Sequence, residues 1–403
     1  MYKERNKKIS WLRQVCETYV RELRNIFKDE GIMIFFFLLP LAYPIVYSLI
    51  YNPEVVRDVP MVVIDNDRTA LSREFVRRLD ATQDIRIKGY AAELGEARRA
   101  MAGRDCFGIM EIPDGFQKRA GRLEQNNVIL YTDMTLMLRY KAFLMGATDV
   151  SQEMGAEIQA KALDSDLPVD VNLDGDPLPI HNVALGNTTS GFDSFVMPGI
   201  LMLILQQCII LAVGMAGGAM REPRRLLRYN PINEAPSVVL TLISKTLVYC
   251  TIMAVPILYL SHYVPLMFAF PMAGDSIEIL LLLVPMVLAS IFLGFCIQSV
   301  VTERETIFVF WVITSVIFLF LSGLTWPRYA MPDVWRWLGD IFPGTWGVEG
   351  FIRMNTNGAS LSQVSACYYA LWILTGVYFT LACVLHRFVI RPRIRREHGE
   401  CAI

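Results

Sequence analysis

The chain has 403 residues, of which 54% are hydrophobic and 19% charged, and its formal net charge is −1. That length suggests two or three domain-sized units, and a near-neutral total says little about partners, so the local charges have to be read instead. The 8 cysteines form no CxxC pair and the 4 histidines are scattered, which leaves no zinc or redox framework.

Residues 1–30 read as an amphipathic helix. Ile9, Leu12, Val15, Tyr19, Leu23 and Phe27 recur at helical spacing, with Trp11, Val20 and Ile26 beside them and a basic face opposite. Such a helix lies along the cytoplasmic membrane surface, either as an anchor alone or also as a docking surface for a cytoplasmic partner. The first apolar run is too long for a cleavable signal and has no small-residue cleavage site behind it.

That run, "GIMIFFFLLPLAYPIVYSLIY" at 31–51, is long enough to span a bilayer and carries no charge. Pro40 and Pro44 sit inside it, which membrane helices tolerate better than soluble ones.

Residues 53–192 look like an ordinary soluble domain, and only Cys106 falls in them. "VPMVVIDND" reads as a buried strand and a turn, and "RTALSREFVRRLDAT" as an amphipathic helix. A strand near 85–90, a helix over 92–103, a strand near 106–112, a helix start at Pro113 and a strand at 128–132 follow. This alternation suggests a small α/β domain, and a long helix over 134–163 closes it.

Two patterns there invite a site reading. Asp65 and Asp67 end the first strand, where paired aspartates are commonly turn formers. "DVNLDGDPLPIH" places Asp170, Asn172, Asp174 and Gly175 as in a calcium loop. Its twelfth position is His181 instead of a bidentate Glu, and Pro177 and Pro179 break the exit helix, so a turn-rich connector is expected. No Ser-His-Asp or Cys-His set can be assembled, and no metal site or catalytic residue is assigned.

Five more apolar runs follow, near 194–217, 241–263, 279–300, 306–325 and 367–386. Lys245 is the charge well inside one of them; it is expected to snorkel or to mark the start of its span. Gln206 and Gln207 lie mid-span and Gln298 near a span end. They are read as lining a pathway or a dimer seam, or as making plain interhelical hydrogen bonds.

Basic residues fix the orientation. Residues 1–30, the loop with Arg221, Arg224, Arg225 and Arg228, and the tail with Arg387, Arg391, Arg393, Arg395 and Arg396 fall on one side of a six-span layout. That side is the cytoplasm, with both termini in it and 391–403 as a basic tail. The 53–192 domain, the 264–278 loop and the stretch from Phe320 to Asn355 then lie outside.

In that stretch Trp326, Trp335, Trp337 and Trp346 fit an aromatic belt. "MPDVWRWLGDIF" reads as a short amphipathic helix with Val334, Trp335, Leu338, Ile341 and Phe342 near one face. It dips into the outer leaflet as a re-entrant cap near 327–350, or serves only as an interfacial anchor.

The chain has no G-x-x-x-x-G-K-[ST] and lacks several intramembrane acids, so energy for uphill movement comes from another subunit. The loop 220–239 is the candidate partner contact, or else a positive-inside retention loop.

The expected architecture is a membrane α-helical protein: six transmembrane helices with an α/β extracytoplasmic domain inserted between helices 1 and 2. In this form the chain resembles the ABC-2 type transporter permeases, in the bacterial drug-export-like branch with a large extracytoplasmic domain. The resemblance rests on "VVIDNDRTALSREFVRRLDAT" at 62–82, "EARRAMAGRDCFGIMEIPDGFQKRAGRLEQNNVILYTD" at 96–133, "FVMPGIL" at 195–201 and "LSGLTWPRYAMPDVWRWLGDIFPGT" at 321–345. Two sites depart from the family pattern: "REPRRLLRYNP" replaces a Gly-Thr after Arg221 and Glu222, and "ALGNTTSGFDSF" lacks an Asn-Pro.

The resemblance implies a permease subunit of the bacterial inner membrane that moves an amphipathic or hydrophobic substrate outward, paired with a second permease chain, alike or paralogous. Cytoplasmic ABC ATPase subunits would use ATP and Mg²⁺; this chain would bind no cofactor and no nucleic acid. A periplasmic adaptor and an outer-membrane channel are implied partners beside the lipid bilayer. Arg221, Glu222, Arg224 and Arg225 would couple to the ATPase, and Trp326, Pro327, Pro332 and Pro343 would shape the outer gate. The rival reading is a membrane receptor or scaffold with an external sensing domain.

Overall fold

The computed structural model describes residues 2–51, 56–135, 137–163, 191–222, 237–300, 303–394 and 396. Two units with separate cores share the chain: Met1–Asn52 with Ala184–Ile403, and Pro53–Val183.

The smaller unit is built on a four-stranded sheet, β1 (Val59–Asp65), β2 (Ile85–Tyr90), β3 (Gly108–Ile112) and β4 (Ile129–Thr132), in spatial order β2-β1-β3-β4. β1 runs parallel to β2 and β3, while β4 is antiparallel to β3. Central β1 is buried on both faces, which is why it reads as a continuous apolar run. Val59, Met61 and Val63 pack with Phe75, Leu79 and Phe143 from the helices Ala70–Asp80 and Met137–Leu163. Val62 and Ile64 pack with Ala97 and Ile109 on the other face, under the helix Leu94–Ala102. The long helix is held by Arg78, whose Nη1 and Nη2 donate to the two Glu157 carboxylate oxygens at 2.8 Å each. The alternation of strand and helix is the one the sequence predicts.

The larger unit has six helices long and apolar enough to cross a membrane: Glu30–Ile50, Phe192–Met220, Val238–Met267, Ser276–Val300, Arg304–Leu321 and Ser365–Ile394. The second is the hub, with 83% of its most apolar window buried, against 17% for the fifth. It packs against the fourth and fifth spans and the short helix Pro343–Asn355. Three of the six overrun their predicted ends, the second reaching Met220 and, by a full turn or more, the third Met267 and the sixth Ile394.

Proline explains how the third and sixth continue. The five-residue π turns Ile34–Leu38, Tyr259–Tyr263 and His386–Ile390 lie two residues before Pro40, Pro265 and Pro392. A proline has no N–H for the carbonyl four residues back and its ring crowds that carbonyl; a wider i→i+5 turn makes room without ending the helix. The predicted loop 264–278 and tail 391–403 therefore begin later than expected.

The N-terminal helix Tyr2–Phe27 runs against the third span. Its inward face carries Thr18, Glu22 and Ile26, whereas Val20 and Phe27 are exposed. Tyr19 and Leu23 of the predicted apolar face pack on the core, but the most buried line lies beside them, at Thr18, Glu22 and Ile26, because Glu22 finds its partner inside the bundle.

Candidate functional site

Arginines converge at one end of the bundle. Arg304, the first residue of the fifth span, pairs with Asp29 and places its Nε 2.8 Å from Glu222 Oε1. Asp29 also caps the start of the first span, its Oδ1 accepting from the Ile32 N–H at 3.2 Å. Arg221 donates to the Gln298 carbonyl at 3.1 Å and Arg393 to the Ser299 carbonyl at 3.4 Å. Both carbonyls belong to the last turn of the fourth span, where unpaired C=O groups and the negative helix end attract cations. Of the predicted coupling residues, Arg221 and Glu222 are thus tied into the bundle. Arg224 and Arg225 lie outside the described residues.

Lys245 corrects its sequence reading. It does not mark a helix start: it lies within Val238–Leu258, 3.2 Å from Glu22 Oε1. Tyr249 points its hydroxyl at the same oxygen from 3.5 Å, and Tyr19 donates to Thr251 at 3.1 Å. An ammonium held in low dielectric keeps its charge only beside a counter-ion, and the N-terminal helix supplies it.

At the opposite end Arg328 is the hub. It sits in the one-turn 3₁₀ helix Arg328–Ala330, pairs with Asp340, donates to Glu349 Oε2 at 2.7 Å and lies 4.6 Å from the Trp346 ring centroid. It thereby ties the fifth-span exit to the helices Asp333–Asp340 and Pro343–Asn355. Pro327 and Pro332 immediately precede the 3₁₀ turn and the Asp333–Asp340 helix. Pro343 opens its helix at the first position, where the missing N–H costs nothing. Trp326 is exposed and donates to the Ala330 carbonyl at 3.2 Å. The predicted prolines set the turns, but Arg328, which the sequence reading passed over, holds them together. Its signal was a cation in a stretch, 328–349, with more acids than cations, Asp333, Asp340 and Glu349 against Arg328 and Arg336.

The Asp333–Asp340 helix forms as predicted, and Val334, Trp335, Trp337, Leu338 and Ile341 are exposed. The loop before the fourth span joins this end: Ala273 N–H donates to the Asn355 carbonyl, and Asn355 Nδ2 to the Pro271 carbonyl, each at 2.8 Å.

The three glutamines do not form one site. Gln206 and Gln207 are buried in the second span with no hydrogen-bond partner among the described residues, Gln206 against Gly344. Gln298 sits at the arginine end against Gly217.

In the smaller unit the paired aspartates build a turn. Asp65 Oδ1 accepts from the Asp67 and Arg68 N–H groups, and its Oδ2 from Ser72 Oγ at 2.8 Å. Asp67 accepts from Thr69 Oγ1 and the Gln117 N–H, and Thr69 and Ser72 close a capping box. Partial burial pushes the Asp67 carboxyl up, but the Thr69 hydroxyl and the N–H groups of Gln117, Gly115 and Phe116 outweigh it and hold it below its ordinary value. The Asp170–His181 segment lies outside the described residues, among which no group of three or more His, Cys, Asp and Glu is placed to hold a metal ion.

A family model described as ABC-2 family transporter protein matches residues 31–384, from the start of the first span to the sixth. The chain belongs to the ABC-2 transporter family. No curated protein matches it. As an ABC-2 permease the chain is a multi-pass membrane protein and the transport component of an ABC transporter, not itself an enzyme, and its family works with an ABC ATPase. The matched residues take in Arg304, Glu222, Lys245 and the Arg328 hub of the permease, whereas Glu22, Asp29 and Arg393 lie outside them.

Proposed function

We propose that this permease is one half of an exporter that moves an amphipathic or hydrophobic substrate outward across the bacterial inner membrane. Two such chains, alike or paralogous, work with cytoplasmic subunits that hydrolyse ATP with Mg²⁺. Residues 53–192 form the extracytoplasmic domain, which meets a periplasmic adaptor and through it an outer-membrane channel. Arg221, Glu222, Arg224 and Arg225 form the contact with the ATPase. The segment near 327–350, shaped by Trp326, Pro327, Pro332 and Pro343, is the re-entrant outer gate. Gln206, Gln207 and Gln298 belong to the pathway or to the seam between the two chains.

The observation that carries this reading is the chemical difference between the two ends of the bundle. Arg221, Arg304 and Arg393 gather at one end, where Arg24 closes the N-terminal helix and Arg387 lies near the end of the sixth span; the other end, whose Arg328, Arg336 and Arg353 each pair with a carboxylate, presents exposed Trp326, Trp335 and Trp337. Basic ends face the cytoplasm and interfacial tryptophans sit at headgroup depth. Glu222 lies at the same end as Arg221, Arg304 and Arg393, which supports reading that end as the side of the ATPase.

The test is co-purification of the tagged chain from its native membranes in mild detergent. The expected result is a P-loop subunit at about one copy per permease, with ATP hydrolysis that falls when Arg221, Glu222, Arg224 and Arg225 are replaced by alanine. An intact, folded chain without such a subunit would return the protein to the receptor or scaffold reading.

A further inference from the structure

Arg304 occupies an unfavourable position for a cation. It is the first residue of Arg304–Leu321, where the helix dipole and the free N–H groups repel positive charge. Something must hold it there, and two carboxylates do: Asp29, from the hinge between the N-terminal helix and the first span, and Glu222, from the end of the second span. The Asp29 side chain is 5% exposed, so moving Arg304 away would strand a buried charge. The backbones also meet closely. A Cβ on Gly218 would lie 3.1 Å from the Arg304 backbone nitrogen, and one on Gly214 only 2.5 Å from Ile307 Cγ1. The first, second and fifth spans are therefore joined through a single guanidinium.

We propose that Arg304 is a positioning residue that links the segment ending the second span at Glu222 to the start of the fifth span, so that displacement of Glu222 by the partner of that segment moves the fifth span. The inference rests on the reading of that segment as the ATPase contact. Within its own chain the fifth span is the least buried of the six, so few intrachain contacts oppose its displacement. One planar guanidinium, hydrogen-bonded to Asp29 and ion-paired with Glu222, ties both carboxylates to the start of the fifth span, which a single flexible lysine pair does not.

A disulfide distinguishes a mechanical link from a local packing role. The positions of Gly214 and Ile307 suit one, because a Cβ on Gly214 would be 3.6 Å from Ile307 Cβ, within the roughly 3.5–4.5 Å that disulfides need. The experiment compares four forms of the full chain in lipid nanodiscs with its co-purified ATP-binding subunit: wild type, Arg304→Gln, Gly214→Cys/Ile307→Cys, and all three changes together. The readout is the ratio of ATP hydrolysis with the permease to that of the ATP-binding subunit alone.

The expected result is a ratio that drops to one in Arg304→Gln, stays at the wild-type value in the oxidised double-cysteine form, and is restored in the triple variant on oxidation but not after reduction. Should Arg304→Gln fail to fold, Arg304→Lys takes its place, since lysine keeps the charge but cannot grip both carboxylates. Full stimulation by the Arg304 variant overturns the proposal. So does a triple variant that oxidation leaves inactive, or a wild-type-background disulfide that abolishes stimulation. If the wild-type chain stimulates no ATP-binding subunit, the exporter reading itself fails and this inference falls with it.

Discussion

The Lys245 ammonium lies 3.2 Å from Glu22 Oε1, with the two side chains 11% and 6% exposed. This pair fastens the N-terminal helix to the third span and answers the one charge deep in an apolar run. Removing a single member leaves the other buried and alone, which costs about 3–5 kcal/mol in soluble proteins. Lys245→Met and Glu22→Gln should each lower the thermal midpoint of the detergent-purified chain. The double variant should recover most of the loss, because it strands no charge. Additive losses in that cycle would mean that the two side chains are not coupled.

Gly323 tests the Arg328 hub. Its φ is +87°, and a Cβ there would lie 2.7 Å from Arg328 Cγ. Gly323→Ala should cost about 1–2 kcal/mol from backbone strain alone, and should push Arg328 off Asp340 and Glu349. Hydrogen exchange is expected to rise over 326–350 and stay unchanged at the arginine end. Arg328→Lys should give the same map without the strain, since lysine cannot serve two carboxylates and a Trp346 face together.

Gly274 allows a narrower test. A Cβ there would sit 2.4 Å from the Met354 carbonyl oxygen, a backbone atom that cannot rotate away. Gly274→Ala should destabilise by about 1–3 kcal/mol and open the Ala273–Asn355 hydrogen bond. The check is faster exchange over 271–276 and 352–358 with a lowered thermal midpoint. Unchanged exchange there would show that the loop is not held by this contact.

The smaller unit should respond to acid through two carboxylates of opposite sense. Asp67 is held below its ordinary value, so its contribution is present above the unfolded-state value and lost as pH falls through the folded one. Burial first, and then the Asp149 charge, push Asp84 up, so its ionised form opposes folding above the folded value and the opposition fades as pH falls. Asp67→Asn should therefore flatten the acid limb, while Asp84→Asn should stabilise the unit at neutral pH. Exchange over 59–120 across pH 3–7, corrected for intrinsic rates, measures both.

Some of this molecule is legible in residues alone. The span count follows from run length, and the strands at 59–65, 85–90, 108–112 and 129–132 follow from alternating and β-branched residues with turn formers between them. The Asp65–Ser72 turn also reads directly, because its bonds join residues a few positions apart.

Partnerships across distance do not. Nothing near Lys245 in sequence points to Glu22, and nothing near Arg304 points to Asp29 and Glu222, since each pair forms only when separate spans pack. The three π turns were hidden for a similar reason: a proline announces a break, but neighbouring packing decides whether the helix stops or widens and continues. Sequence alone determined which segments are apolar, how many span and where the basic residues cluster, because those are properties of local composition. Tertiary structure decided which buried charge meets which, and which span is the hub, because those depend on a geometry that local composition does not contain.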